Sequence, residues 1–142
     1  MALTYVDTSA FLRAFLTDAP EHDAVLSLLT DGSCRLISSE LLWLEADRAV
    51  IRLAREFPAL QGLAAQVRTA LNGVNMIDVN RRVLNAARAI PEVVKSLDAI
   101  HIASAEMLGS ELDRVITYDK TMTAVLKAHG LTACTATQAL TR

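Results

Sequence analysis

The sequence predicts an α/β protein in three layers, with helices on both faces of a mainly parallel central sheet of short strands. Short apolar runs alternate with stretches of helical periodicity along the whole chain. The helical stretches between successive runs make them βαβ units of a parallel sheet. The 142 residues contain no internal repeat, no low-complexity segment and no linker. Residues 1–142 therefore read as one domain, long enough to bury a single core.

Leu3 to Val6 reads as the first strand, and Ser9 to Leu16 as a helix with Ser or Thr near its N-cap. Pro20 opens a second helix, Glu21 to Leu29, closed by Asp31-Gly32. Arg35 to Ser38 is a short strand. Ser39 to Phe57 follows as a long helix, with Leu41, Leu44, Ile51 and Ala54 at core spacing. Pro58 starts a helix running to about Leu71, ended by Asn72-Gly73. Asn75 to Val79 is strand-like, and Arg81 to Ala89 is helical, stopping before Pro91. Ser96 is expected to cap a helix from Leu97 to Leu108, which Gly109 ends. Arg114 to Tyr118 is a strand leading to Asp119. A helix from Thr121 to His129, closed by Gly130, and a last strand, Leu131 to Cys134, complete the pattern. Right-handed crossovers gather the strand C-termini at one sheet edge, where open α/β sheets bind ligands.

Apolar residues make up 52% and charged residues 21% of the chain, an ordinary globular balance. Charge-free stretches such as Phe57 to Val67 or Ala128 to Thr141 are too short and mixed to span a bilayer. Met1 leads straight into a strand-like segment with no basic n-region and no apolar h-region, so a cytoplasmic location is expected. Cys34 and Cys134 lie in separate segments without metal-ligand spacing and read as buried, reduced thiols. A formal charge of −2 argues against broad electrostatic affinity for nucleic acid and leaves room for a local basic strip.

Asp7 and Asp119 each end a strand and precede a helix, so a parallel sheet places both carboxylates at one edge. Either alone could be an ordinary helix N-cap. Together they repel, and they are tolerated mainly when a cation sits between them. Glu45 lies mid-helix among Leu42, Trp43 and Leu44, with Arg48, Arg52 and Arg55 close to the same face. That face is either a solvated Glu–Arg stripe or a metal-facing acid grading into a strip that meets phosphates. Asp98 falls in the first turn of a largely apolar helix, favourable with the helix dipole but in want of a partner. His101, one turn on, reads as a packing or hydrogen-bonding residue before a ligand or base.

There is no glycine-rich phosphate loop, no Gly-x-Ser-x-Gly elbow, no His-Glu-x-x-His and no cysteine pair. With no nucleophile–base pair in view, oxygen ligands point to Mg²⁺ or Mn²⁺, which activates water and steadies a phosphoryl transition state.

Tyr5-Val6-Asp7-Thr8-Ser9-Ala10, Leu44-Glu45-Ala46-Asp47-Arg48, Leu97-Asp98-Ala99-Ile100-His101-Ile102-Ala103 and Ile116-Thr117-Tyr118-Asp119 together resemble the PIN domain. In order, spacing and length they are similar to the VapC toxins of bacterial type II toxin–antitoxin systems. The resemblance implies a PIN-like α/β/α fold over 1–142 and a Mg²⁺- or Mn²⁺-dependent endoribonuclease. It implies that Asp7, Glu45, Asp98 and Asp119 form the acidic quartet, with Asp7 and Asp98 as direct metal ligands. Asp119 would also bind the metal, and Glu45 would ligate through water or orient the nucleophile. Thr8, Ser9 and Thr117 match small hydroxyl residues that support such a site, and Arg48 and Arg52 are candidates for RNA or antitoxin contact. Glu40 and Asp47 are rival acids of the second segment, but the Glu45-x-x-Arg48 ending fits the family better. A homodimer, a VapB-like antitoxin whose C-terminal segment enters the groove, and a tRNA or ribosomal RNA loop as target are further implications. A PIN-like nuclease acting on DNA or in RNA maturation, and a receiver-like binding module, are the alternatives. The second is disfavoured because the acids are spread over two helices as well as two strands.

Overall fold

The computed structural model describes residues 1–141. Among them five strands form one sheet: β1 (Ala2–Val6), β2 (Cys34–Ser39), β3 (Asn75–Ile77), β4 (Arg114–Ile116) and β5 (Ala133–Cys134). Their order is β3-β2-β1-β4-β5, and every pairing is parallel. The chain builds outward from β1 to β3 and then returns to the other side of β1. The direction of winding thus reverses between β1 and β4, and a crevice outside the carboxyl ends of these strands is where such sheets take ligands.

The helices are α1 (Thr8–Arg13), α2 (His22–Thr30), α3 (Leu41–Glu56), α4 (Leu63–Leu71), α5 (Arg81–Arg88), α6 (Ser96–Glu106), α7 (Lys120–Ala128) and α8 (Ala136–Leu140). Successive strand side chains point to opposite faces of a sheet, and the two cores divide by that alternation. Val6, Leu36, Met76, Ile116 and Cys134 pack on one face, and Tyr5, Ile37, Ile77, Val115 and Ala133 on the other. The first face is covered by α1 to α4 and α8 through Phe11, Leu28, Val50, Val67 and Ala139. The second is covered by α6 and α7 through Ile102 and Leu126, with α5 packed on α6. Each large buried side chain of this kind contributes about 1.5–3 kcal/mol.

Four local expectations are corrected. Leu44 and Ile51 do not face the core: they are 60% and 53% exposed. The buried stripe of α3 is Leu42, Ala46, Ala49 and Val50 with Leu41. Residues 41–44 are apolar all round the first turn, so spacing alone does not choose the inward stripe. The hand-over from β2 chooses it, through Ser39, whose Oγ accepts from the Leu41 amide at 3.1 Å. The segment from Pro58 is a 3-10 turn, Pro58–Leu60, followed by α4, not one helix. Ser96 is the first residue of α6; the capping position belongs to extended Lys95, which makes no side-chain cap bond. Finally, α8 follows β5. Thr135 and Gln138 form a reciprocal capping box at its start, a Thr-x-x-Gln signal present in the sequence. Among the described residues no helix is long and apolar enough to cross a membrane.

Candidate active site

Asp7 follows the last residue of β1 and caps α1. Its Oδ1 accepts from the Ala10 amide and the Ser9 hydroxyl, both at 2.8 Å, and its Oδ2 accepts from the Thr117 hydroxyl across the β1–β4 boundary. Thr117 Oγ1 in turn accepts from the Asp119 amide at 3.1 Å, and Ser9 Oγ from the Tyr118 amide at 3.2 Å. Ser9 and Thr117 therefore stitch the two strand ends together, as expected of supporting hydroxyls. Asp119 caps α7 through Oδ1, which accepts from the Met122 amide at 2.8 Å. Both strand-end acids are thus N-caps, and capping leaves each with acceptor capacity to spare. Asp7 is 2% exposed. Burial pushes its carboxyl above the usual range, outweighing the donors Thr117, Ala10 and Ser9 and the nearby His101.

Glu45 approaches from the second turn of α3. Its Oε1 accepts from Thr8 Oγ1 at 2.6 Å and from His101 Nε2 at 2.7 Å. Desolvation alone would raise this carboxyl, but the bonds from His101 and Thr8 outweigh it and hold Glu45 below its ordinary value. Asp98, in the first turn of α6, has no hydrogen-bond partner among the described residues. Desolvation lifts its carboxyl, and the neighbouring charges of Asp119 and Glu45 lift it further against His101 and Lys95. The rival acids are employed elsewhere: Glu40 Oε2 accepts from the Val79 amide at 3.3 Å, and Asp47 pairs with Arg68 of α4 at 3.9 Å.

The four acids come to one edge of the sheet at the reversal of winding. Among the described residues Asp98 keeps both oxygens without a protein donor, Glu45 keeps Oε2, Asp119 keeps Oδ2, and Asp7 Oδ2 has one donor. Among the described residues no three His, Cys, Asp or Glu side chains converge tightly enough, as they stand, to hold an ion. The donor set is nonetheless all oxygen, anionic and crowded with like charge, and these properties fit a hard divalent cation. Thr8 and Glu45 open into a groove of about 360 Å³ walled by Leu44, Leu97, Arg48 and Arg52. Beyond it, Arg48, Arg52 and Arg55 flank Ile51 on α3. All three guanidiniums are exposed and none has an acidic partner among the described residues.

His101 is a buried hydrogen-bonding residue, as the sequence suggests, but its partners are distant in the chain. It is 2% exposed, and its Nδ1 lies 2.7 Å from the hydroxyl of fully buried Tyr5. The only local signal is a histidine on the buried side of an apolar helix, because Tyr5 stands 96 positions away.

Comparison with known proteins gives the geometry a setting. The family model described as "PIN domain" matches residues 4–127. Ribonuclease VapC46 of Mycobacterium tuberculosis is 34% identical over 134 residues, covering 92% of this chain and 95% of the relative. Ribonuclease VapC47 of the same species is 31% identical over 121 residues, covering 82% and 85%. Two solved structures share the fold. A toxin–antitoxin complex from Klebsiella pneumoniae superposes with a TM-score of 0.63 at 20% identity, covering 96% of this chain and 98% of that one. M. tuberculosis VapC20, titled a sarcin–ricin loop cleaving toxin, gives 0.62 at 18% identity, covering 85% and 93%.

Proposed function

We propose, because this chain belongs to the PIN-domain family and is a relative of the VapC ribonucleases, that it is the toxin of a type II toxin–antitoxin system. Its activity is that of an endoribonuclease hydrolysing RNA phosphodiester bonds. The observation that carries the chemistry is the gathering of four acids, with unfilled acceptor positions, at the β1–β4 boundary. Asp98, Asp119 and the remaining lone pair of Asp7 Oδ2 would hold Mg²⁺ or Mn²⁺, and Glu45 would reach it through water. When bound, such an ion supplies an activated water and stabilises charge on the phosphoryl oxygens.

The residues of the chain do the rest. Ser9 and Thr117 fix Asp7 from two sides, so the most buried acid enters the site in one orientation. Glu45, held through Oε1, presents Oε2 to orient the attacking water for in-line displacement. Arg48 and Arg52, which line the same groove as Glu45, would meet substrate phosphates, a contact that salt weakens.

The same groove suits the C-terminal segment of a VapB-like antitoxin, whose apolar side chains would lie on Leu44 and Leu97. A structured RNA such as a tRNA or ribosomal RNA loop, a homodimeric assembly and a cytoplasmic location complete the reading. The test is a side-by-side digest of structured RNA and of duplex and single-stranded DNA with Mg²⁺ or Mn²⁺. Internal cleavage of RNA alone is expected, and Asp7→Ala should abolish it. Cleavage of DNA in preference to RNA would sink the reading.

A further inference from the structure

His101 lies outside the acidic set, and the reaction above does not use it. Both of its ring nitrogens are nevertheless committed. The Tyr5 hydroxyl lies 2.7 Å from Nδ1. Tyr5 is fully buried, and a phenol carries a hydroxyl hydrogen that it can donate to an imidazole nitrogen at this distance. An Nδ1 that accepts leaves the ring hydrogen on Nε2, which lies 2.7 Å from Glu45 Oε1. Thr8 Oγ1 donates to that same oxygen at 2.6 Å and lies 3.3 Å from Nε2. Two donors therefore converge on one oxygen of Glu45, and among the described residues none falls on the other. Tyr5 and His101 meet edge to face, with centroids 5.9 Å apart and planes at 83°, which fixes the ring plane as well as its nitrogens. A histidine serving only to fill the core would have no reason to end a three-membered hydrogen-bond line on an active-site acid.

We infer that Tyr5, His101 and Thr8 form a brace that positions Glu45, pinning Oε1 so that Oε2 faces the scissile phosphodiester. His101 is a positioning residue, acting on the reaction through Glu45. The consequence for cleavage rests on the ribonuclease reading, whereas the brace is a property of the protein alone.

Nitrogen-15 NMR of the imidazole in metal-free protein reads the brace without activity. The expected result is an His101 ring with hydrogen on Nε2, whose resonance moves in Glu45→Gln while the melting temperature stays near that of the parent. A ring with bare Nε2, or one indifferent to Glu45→Gln, overturns the brace. In cleavage assays, His101→Leu should lower kcat on the order of 10–100-fold with KM little changed, as for other outer partners of metal-site ligands. His101→Gln, whose amide can donate near the place of Nε2, should recover much of the loss. Equal activity of the two variants at parental melting temperatures overturns the inference. Should His101→Leu fail to fold, Thr8→Val against His101→Gln carries the same comparison. A parent protein that cuts no RNA defeats the ribonuclease reading and leaves NMR to decide the brace.

Discussion

His101 and His129 both bridge acidic side chains, but the ring of His101 divides its nitrogens between a phenol and a carboxylate, whereas that of His129 meets two carboxylates. His129 closes α7; its Nε2 lies 2.8 Å from Glu92 Oε1, and its Nδ1 is bonded to Glu106 Oε1 at the end of α6. Two acceptors favour two ring hydrogens, so the carboxylates draw His129 toward the imidazolium form, which clasps the α5–α6 loop, α6 and α7. The Glu92 bond raises its pKa first, burial opposes, and Glu106 raises it further. With Tyr5 as one partner, His101 instead passes a single hydrogen toward Glu45. The group on the second nitrogen thus decides whether a bridging histidine serves as a charge or as a directed donor.

If that contrast holds, the acids around the two rings are not interchangeable. Glu45→Gln should lower the RNA cleavage rate on the order of a hundredfold or more, the scale of losing one preorganised electrostatic group. Glu92→Gln and Glu106→Gln should leave the rate within about twofold, since neither reaches the β1–β4 edge. A parallel rate assay of the three variants decides it; comparable losses would erase the distinction.

A second difference lies in stability. Asp98 is held near Asp119 and Glu45 without a donor among the described residues, and its carboxyl is raised. A raised carboxyl binds its proton more tightly folded than unfolded, so it detracts from stability once pH exceeds the unfolded value of about 3.9. Asp98→Asn should therefore melt higher than the parent in chelator at neutral pH while losing cleavage. A lower melting temperature would show that Asp98 supports the fold.

At His129 the sign is reversed. The folded ring holds its proton more tightly, so the clasp contributes fully below the unfolded pKa of about 6.5 and is lost as pH rises through the higher folded value. Melting curves of the parent and His129→Gln should differ most near pH 6, below the unfolded value, and converge as pH rises past the folded one. The effect is small, because the site is partly exposed and salt screens it.

The smallest effect is expected on the outer face of α3. Leu44 is 60% exposed, so Leu44→Ala should change unfolding free energy by no more than about 0.5 kcal/mol in a denaturant titration. A core-sized loss would restore the stripe that spacing alone suggests. That stripe marks where the sequence stops being legible. Periodicity and turn residues locate all five strands and the edge that gathers Asp7 and Asp119, because those signals are local. They do not orient α3, where Leu41, Leu42, Trp43 and Leu44 offer apolar surface in every direction and packing on β2 decides. The acids are legible as a set in order along the chain. The hydroxyl of Thr117 on Asp7 and that of Tyr5 on His101 join positions 110 and 96 residues apart, which no local pattern announces. Helix α8 is the converse: its Thr135–Gln138 box is a local signal in the sequence.

The acids at the β1–β4 edge are proposed to hold a divalent cation for RNA cleavage. Cleavage of a structured RNA by the purified protein, followed through chelation and then readdition of Mg²⁺ or Mn²⁺ beside Asp98→Ala, addresses that assignment. The parent should fall silent in chelator and recover with the metal, and Asp98→Ala should stay silent throughout. Cleavage that survives chelation, or an Asp98→Ala protein that cuts at the parental rate, would contradict it.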